Sequence, residues 1–208
     1  MEIILVNNPP AYGQQVWVDN IKHMLDRVGE EYDAIHVMDD VVHGTVYDKL
    51  VLFDRFRTGQ YLYLDLDVVI TSTISHLCRT EFTLLNAWWR PCFWTPLNSS
   101  IMSWSGDHSY IYKKFDEDPD YYMVKYWKGI DEFFFKEIEY ETYDKVCKSY
   151  AWMKEWEQTT EGVAVDVPVI LYNHDAKDKL WEHKYTLSGP ETNTVHNTSA
   201  TSIRKYLM

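Results

Sequence analysis

Strand-like and helix-like hydrophobic patterns alternate along the first third of the chain. Residues 2–6 form an apolar run typical of a buried strand. Residues 14–28 carry apolar side chains at helical spacing, which predicts an amphipathic helix that buries one face. Residues 32–38 predict a second short strand. A polar start like a capping box at Thr45 predicts another helix, which ends before Gly59.

The run YLYLDLDVVI at residues 61–70 predicts a third strand, because it is apolar, aromatic and β-branched. The first seventy residues therefore follow a β-α-β-α-β order. That order is typical of a parallel sheet with helices on both faces, so the predicted fold class is α/β.

The second half of the chain has a mixed pattern. Strands are predicted at residues 82–89, 99–104 and 167–172, and helices at residues 107–115 and 130–138. The acidic stretch at residues 116–120 is predicted to be a solvated loop. The length suits one domain over residues 1–187. Residues 188–208, rich in Ser, Thr and Asn at first, are predicted to form a tail that is loose or packed back on the domain.

Two carboxylates, Asp65 and Asp67, interrupt the third predicted strand. Side chains two apart on a strand point to the same side, and a buried pair of carboxylates requires a cation. With hard oxygen ligands this cation is expected to be Mg²⁺ or Mn²⁺, which can hold a diphosphate. Parallel strands end at one edge of a sheet, so Asn7 and Tyr12 after the first strand are placed to hold a base nearby.

Composition narrows the class of partner. The net charge is −12, from 20 basic and 32 acidic residues, which disfavours binding to nucleic acid. No apolar run approaches the length of a membrane span, and the start lacks the pattern of a signal peptide. The three cysteines show no C-x-x-C spacing, which favours reduced thiols in a cytoplasmic protein over a disulfide framework or a zinc site.

Five segments in order resemble the GT-A-fold glycosyltransferases, in particular family eight and its relatives. The sequence DLD looks like their DxD motif, which binds a metal. DKLVLF precedes it, and NSSIMSW, GIDEFF and PVILYNHDAKDKLW follow it in the order of the family. The resemblance implies a GT-A fold and a metal-dependent hexosyl transfer, with retention, from a UDP-sugar to an unknown hydroxyl acceptor. UDP-glucose or UDP-galactose is the expected donor.

The resemblance also implies roles for particular residues. The metal, Mn²⁺ or Mg²⁺, would be bound by Asp65, Asp67 and His174, with Asp65 alternatively holding the ribose. The cations expected to neutralise the diphosphate are Lys49, Arg57 and either Lys177 or Lys179. The residues expected beside the base are Asn7 and Tyr12. Those expected to line the donor sugar are Asn98, Asp131 and Glu132.

Two points stay open at the level of sequence. Asp131 is assigned a catalytic role provisionally, and Glu132 either bonds sugar hydroxyls or is an ordinary acid in the first turn of a helix. The chain departs from the family near its late histidine, where Asp175, Lys177 and Lys179 replace the usual glycine and prolines.

A sugar nucleotidyltransferase is an alternative function, although the Gly-rich phosphate loop of that class is absent after the first strand. A non-catalytic carbohydrate-binding protein that kept the fold is another.

Overall fold

A computed structural model describes residues 1–9, 12–90, 94–143, 146–149, 167–172 and 177–189. His174, Asn173 and Asp175 lie outside these ranges, as do residues 190–208. The elements of the described part are, in chain order, β1 Glu2–Val6, α1 Gln15–Val28, β2 Ala34–Met38, a 3₁₀ helix Val46–Val51, α2 Leu52–Arg55, β3 Gln60–Leu64, β4 Val68–Ile70, a 3₁₀ helix Ser75–Leu77, β5 Thr83–Asn86, β6 Leu97–Ser105, α3 Tyr110–Asp116, α4 Pro119–Lys125, α5 Ile130–Glu137, β7 Glu141–Tyr143, β8 Cys147–Ser149, β9 Val169–Leu171 and α6 Lys177–Leu180.

Within the described residues, the main sheet has six strands in the order β2-β1-β3-β6-β5-β7. The pairs β1-β2, β1-β3 and β5-β7 are parallel, and β6 pairs antiparallel with both β3 and β5. A smaller sheet has the order β4-β9-β8 over the same part of the chain. The predicted β-α-β-α-β start and the α/β class are confirmed. The strand predicted at residues 99–104 is β6, but its antiparallel position between β3 and β5 was not predicted.

The run at residues 61–70 is not one strand, contrary to the prediction. β3 ends at Leu64 and β4 begins at Val68, so Asp65 and Asp67 lie in the turn between two sheets. β4 leaves the main sheet because it pairs antiparallel with β9, from the far end of the chain. Leu66, between the two carboxylates, is fully buried in the core and anchors this turn.

Two hydrophobic cores cover the two faces of the main sheet. Successive side chains of β1 point to opposite faces, so Ile3 packs on the side of α1 while Ile4 packs on the other side. The core on the second side is built largely from aromatic rings, among them Phe53 and Trp104, whose centroids lie 4.8 Å apart. Burial on both faces explains why β1 and β3 are apolar at nearly every position.

The acidic stretch near residue 118 is partly helical, which corrects the predicted loop. Asp118 accepts a hydrogen bond from the backbone N–H of Tyr121 at 3.0 Å, and Pro119 opens α4. Both residue types suit the start of a helix. No helix in the described ranges combines the length and the apolar character needed to cross a membrane.

An ion-pair network joins α3, α4 and α5 at Glu137. Its carboxylate lies 2.9 Å from the Nζ of Lys125 and 3.1 Å from that of Lys114, and it accepts a hydrogen bond from Tyr126. Burial alone would raise the pKa of Glu137, but these three donors outweigh it and lower the pKa to about 2. The folded protein therefore favours the charged carboxylate more than the unfolded chain does.

We expect Glu137→Gln to lower the stability at pH 7 by about 1 kcal/mol. A carboxylate whose pKa is lower in the folded protein stabilises the fold at pH values above its unfolded pKa of 4.5. This stabilisation is lost as the pH falls towards the folded pKa of about 2. The melting temperatures of the variant and the parent should therefore approach each other as the pH is lowered from 7 to about 3. Exposed Glu139→Gln is the control. A difference between Glu137→Gln and the parent that persists unchanged at low pH would contradict the network.

Candidate active site

The candidate site lies at the edge of the main sheet where β1 and β3 end. These strands are parallel, with Leu5 opposite Leu64, so Asn7 and Asp65 follow them to the same edge. The backbone N–H of Asp65 donates to the carbonyl of Ser100 on β6 at 2.8 Å, and that of Tyr172 donates to the carbonyl of Asp67 at 2.8 Å. The turn that carries both carboxylates is therefore fixed by neighbours on each side.

Asp65 is neutralised by protein groups. Its Oδ1 lies 2.6 Å from the Nζ of Lys49 and accepts a hydrogen bond from the hydroxyl of Tyr63. Burial alone would raise the pKa of Asp65, but the Lys49 ammonium and these hydrogen bonds outweigh it and lower the pKa. Asp65 is therefore held as a carboxylate, as a metal ligand or a ribose acceptor must be.

The negative charge of Asp67 is compensated less completely than that of Asp65. Its Oδ2 lies 3.3 Å from the Nζ of Lys177, while its Oδ1 is buried and has no hydrogen-bond partner among the described residues. The side chain is only 4% exposed. Burial raises the pKa of Asp67, the charge of Asp65 adds to this, and Lys177 counteracts only part of it. A buried carboxylate with an unused oxygen is energetically costly by itself.

The donor set at this edge suits Mg²⁺ or Mn²⁺. These ions take carboxylate oxygens and are commonly held by one or two carboxylates together with substrate phosphates. In the described part of the chain, no three His, Cys, Asp or Glu side chains come close enough to form a metal site by themselves. Asp65 and Asp67 therefore fit a metal ion whose remaining ligands come from a bound substrate or from other residues. The predicted third ligand, His174, lies outside the described residues.

Lys177 also contacts Tyr12, the residue predicted to lie beside a base. Its Nζ lies 3.2 Å from the Tyr12 hydroxyl and 4.4 Å from the centre of the ring. The Tyr12 ring packs edge-on against Trp17 of α1, and Trp17 packs against Trp181, which follows α6. These aromatic contacts attach the segment that carries Lys177 to α1 and so position Lys177 at the site.

Asn7 and Asn8 shape the loop that follows β1. The Oδ1 of Asn7 accepts a hydrogen bond from the N–H of Gly13 at 2.9 Å, where Gly13 has a φ of 101°. Asn8 donates to the carboxylate of Asp48 at 2.8 Å. Asp48 also accepts from the backbone N–H groups of Val42 and His43, so it fixes a loop. The capping box predicted at Thr45 is thus only half formed: Thr45 caps Tyr47, and Asp48 bonds elsewhere.

Of the residues predicted to line a sugar, Asn98 lies on β6 and Asp131 is hydrogen-bonded to that strand. Asp131, in the first turn of α5, accepts from the N–H of Ser99 at 2.9 Å and pairs with Arg90 at 2.8 Å. Ser99 precedes Ser100, which bonds the Asp65 backbone, so Asp131 and Asp65 attach to adjacent residues of β6. Asn98 uses its Oδ1 to accept from the N–H of Ser100.

Glu132 differs from Asp131 in having a free oxygen. Both oxygens of Asp131 are engaged, whereas the Oε2 of Glu132 is buried and has no hydrogen-bond partner in the described part of the chain. Asp131 therefore holds α5 against β6, whereas Glu132 keeps an oxygen that no described residue engages.

Two predicted cations are not brought to the carboxylates. Arg57 precedes the amino end of β3, at the opposite edge of the sheet, where it pairs with Asp107 at 2.7 Å. Its assignment to a diphosphate is corrected, because a strand of five residues separates it from Asp65. Lys179 is exposed on α6, whereas Lys177 on the same helix contacts Asp67.

Two functional contacts were missed from the sequence. Tyr63 lies two positions before Asp65, and on a strand these side chains share a face, so its hydrogen bond to Asp65 could have been predicted. The pairing of Arg90 with Asp131 had no local signal, because it joins segments that are distant in sequence.

No protein-family model matches this chain, and no curated protein matches it in sequence. Solved glycosyltransferases nevertheless share its fold. GlyE of Streptococcus pneumoniae TIGR4 has a TM-score of 0.63 at 9% identity, and the match covers 89% of this chain and 60% of GlyE. The galactosyltransferase LgtC, solved with donor and acceptor sugar analogs, has a TM-score of 0.62 at 13% identity, covering 92% of this chain and 98% of LgtC. A glycosyltransferase involved in glycosylation of the major capsid of PBCV-1 has a TM-score of 0.55 at 11% identity. The match covers 87% of this chain and 98% of that glycosyltransferase.

These likenesses confirm the predicted fold class. The chain has the GT-A fold, a mixed α/β architecture with a mainly parallel six-stranded sheet in its described part. It spans only 60% of the length of GlyE. Structural similarity at sequence identities of 9–13% shows a shared fold. The activity must be inferred from the chemistry of the site.

Proposed function

We propose that this protein is a metal-dependent glycosyltransferase that moves a hexose from a UDP-sugar to a hydroxyl acceptor, with retention of configuration. The observation that carries the proposal is the buried pair Asp65 and Asp67, each beside a lysine and with one Asp67 oxygen unused. This pair lies where the strands of a GT-A sheet end, the usual place for ligands in open α/β sheets. The cysteine pattern adds a cytoplasmic location to the proposal.

The site offers a distinct set of groups to each part of such a donor. Asp65 and Asp67 would hold Mn²⁺ or Mg²⁺, with His174 as a candidate third ligand. When bound, the metal would stabilise negative charge on the diphosphate. Lys49 and Lys177 supply two more positive charges at the same edge. They would favour departure of the nucleoside diphosphate, because its charge increases as the bond to the sugar breaks.

The base and the sugar would then extend in opposite directions from the carboxylates. Tyr12 and Asn7 lie on the α1 side, where a uracil can pack against the phenol ring. Asn98 lies on β6 and Glu132 lies in the first turn of α5, which Asp131 attaches to β6, and a hexose such as glucose or galactose would bind between them. The unused Oε2 of Glu132 can accept a hydrogen bond from a sugar hydroxyl.

Hydrolysis of nucleotide sugars tests the reaction class without a known acceptor. A panel of UDP-, GDP- and CDP-sugars should be incubated with Mn²⁺, Mg²⁺ or EDTA, with release of the nucleoside diphosphate as the readout. Metal-dependent release of UDP from UDP-glucose or UDP-galactose is expected. No hydrolysis together with no metal-dependent UDP binding would instead favour a non-catalytic carbohydrate-binding protein. Formation of a nucleotide sugar from a nucleoside triphosphate would indicate a nucleotidyltransferase.

We expect Glu132→Gln to lower the turnover number about tenfold, because the amide oxygen is a weaker acceptor than the charged carboxylate and an amide NH₂ replaces the other oxygen. UDP affinity in Mn²⁺, measured by calorimetry, should change less than the turnover, since Glu132 is assigned to the sugar. The exposed Glu139→Gln, two residues beyond α5, is the matched control. An unchanged turnover number would remove Glu132 from the site.

A further inference from the structure

A lysine ammonium next to the start of α5 lies near the faces of two indole rings. The Nζ of Lys128 is 5.2 Å from the ring centre of Trp94 and 5.8 Å from that of Trp127. Trp127 is 61% exposed, which is unusual for so large an apolar side chain. No carboxylate pairs with Lys128 in the described ranges, whereas Lys49, Lys114, Lys125 and Lys177 all have acidic partners. We call these three residues the indole platform.

The indole platform adjoins the elements predicted to line the sugar, because Trp94 precedes β6 with Asn98 and Lys128 precedes α5 with Asp131. Lys128 is three residues before Asp131, whose carboxylate accepts a hydrogen bond from the backbone of Ser99. The next residue, Ser100, accepts the hydrogen bond of the Asp65 backbone. The intervening Gly129 lies close to Val46: a Cβ at Gly129 would lie 3.6 Å from that side chain. Val46 begins the 3₁₀ helix that carries Lys49 to Asp65. Lys177 and Tyr12, by contrast, are attached to α1, so the platform and the proposed base position are carried by different elements.

The chemistry of the indole platform selects a particular kind of ligand. Indole faces pack against the C–H faces of pyranose rings, and an exposed indole is available for this. An ammonium without a carboxylate partner favours an anion, and Lys128 combines such an ammonium with two indole rings. We propose that Trp94, Trp127 and Lys128 form an acceptor subsite for a pyranoside that carries an anionic substituent, either a carboxylate or a phosphate. This inference rests on the proposed function, because it assigns the acceptor of the same site.

Titration of the indole N–H resonances with small sugars tests the subsite directly. The probes are methyl β-D-glucuronide, glucose 6-phosphate and neutral methyl β-D-glucoside, each added with and without UDP and Mn²⁺. The Trp127 resonance is assigned by its loss in Trp127→Ala. We expect the glucuronide or the sugar phosphate to shift this resonance with an affinity about fivefold tighter than that of the neutral glucoside. Whichever anion is tighter identifies the substituent.

Variants separate stacking from charge. Lys128→Met should abolish the preference for an anionic probe, while Trp127→Ala should weaken every probe about fivefold, as followed on the Trp94 resonance. Tyr110→Ala removes an exposed aromatic ring from α3 and is the matched control, since Tyr110 lies elsewhere on the surface. Because Trp127 is exposed, its loss should not unfold the protein.

The outcomes distinguish the subsite from the proposed function. Indole resonances that no probe shifts, in protein that binds UDP with Mn²⁺, would overturn the subsite and leave the donor site standing. Equal affinity for neutral and anionic probes would also overturn it. A preference for the anionic probe in protein that does not bind UDP would support the anionic subsite but overturn its assignment to a UDP-sugar transferase.

Discussion

Asp67→Asn is expected to weaken metal-dependent UDP binding by at least about 100-fold, since changes even in groups around a metal ligand commonly cost 10–100-fold. The substitution keeps the shape of the side chain and replaces a charged oxygen by an amide nitrogen. Asp67 is the carboxylate with a buried, unused Oδ1, so its charge is the one the fold leaves for a ligand. Calorimetric titration of UDP in Mn²⁺ measures the effect.

The fold should tolerate this change. The buried charge of Asp67 is only partly compensated by Lys177, so removing it carries little or no cost in stability. The melting temperature should therefore stay within a few degrees of that of the parent, on the order expected for about 1 kcal/mol. Asp107→Asn is the control, because Asp107 pairs with Arg57 at the opposite edge of the sheet. An unaltered UDP affinity in Mn²⁺ would remove Asp67 from the metal site.

Lys177→Met should weaken UDP binding about 30-fold, corresponding to about 2 kcal/mol for a charge-assisted contact to phosphate. Lys177 is the late lysine whose ammonium reaches both Asp67 and Tyr12, between the proposed metal and base positions. Methionine keeps the apolar stem and removes the ammonium together with its contacts to Asp67 and Tyr12. The loss should be smaller for uridine, which has no phosphate, and comparing UDP with uridine measures the phosphate contribution.

Lys179→Met provides the matched control on the same helix. Lys179 is exposed on α6, and its removal changes the net charge by the same amount. General electrostatic attraction of an anionic ligand would be reduced equally in both variants, whereas a direct contact is lost in only one. Equal losses in the two variants would mean that neither lysine binds the diphosphate directly. A larger loss in Lys179→Met would reverse the assignment.

The order of elements and the position of the carboxylates followed from local sequence. Alternating faces of β1 and the helical spacing of α1 are properties of a few neighbouring residues, so their periodicity is visible without the rest of the chain. The apolar run before Asp65 likewise predicted a strand, and β3 ends one residue before Asp65, although the predicted strand continued to residue 70. Placement of Asn7 and Asp65 at one edge followed from the parallel order of the strands.

Contacts between distant segments could not be predicted in this way. The pairing of β4 with β9 divides the apolar run at residues 61–70 between two sheets, and nothing within the run shows this. Insertion of β6 as an antiparallel strand brings Ser99 and Ser100 beside Asp131 and Asp65. Such contacts depend on the path of the whole chain.

The sequence by itself determined an α/β domain with two carboxylates at a strand end, because hydrophobic period and strand propensity act over short distances. Only the tertiary structure decided which cations reach them. It brings Lys49 and Lys177 to the pair, leaves Lys179 exposed and places Arg57 at the opposite edge. A charged side chain acts through space over a few ångströms, so its partner is set by the packing of distant segments rather than by its neighbours in sequence.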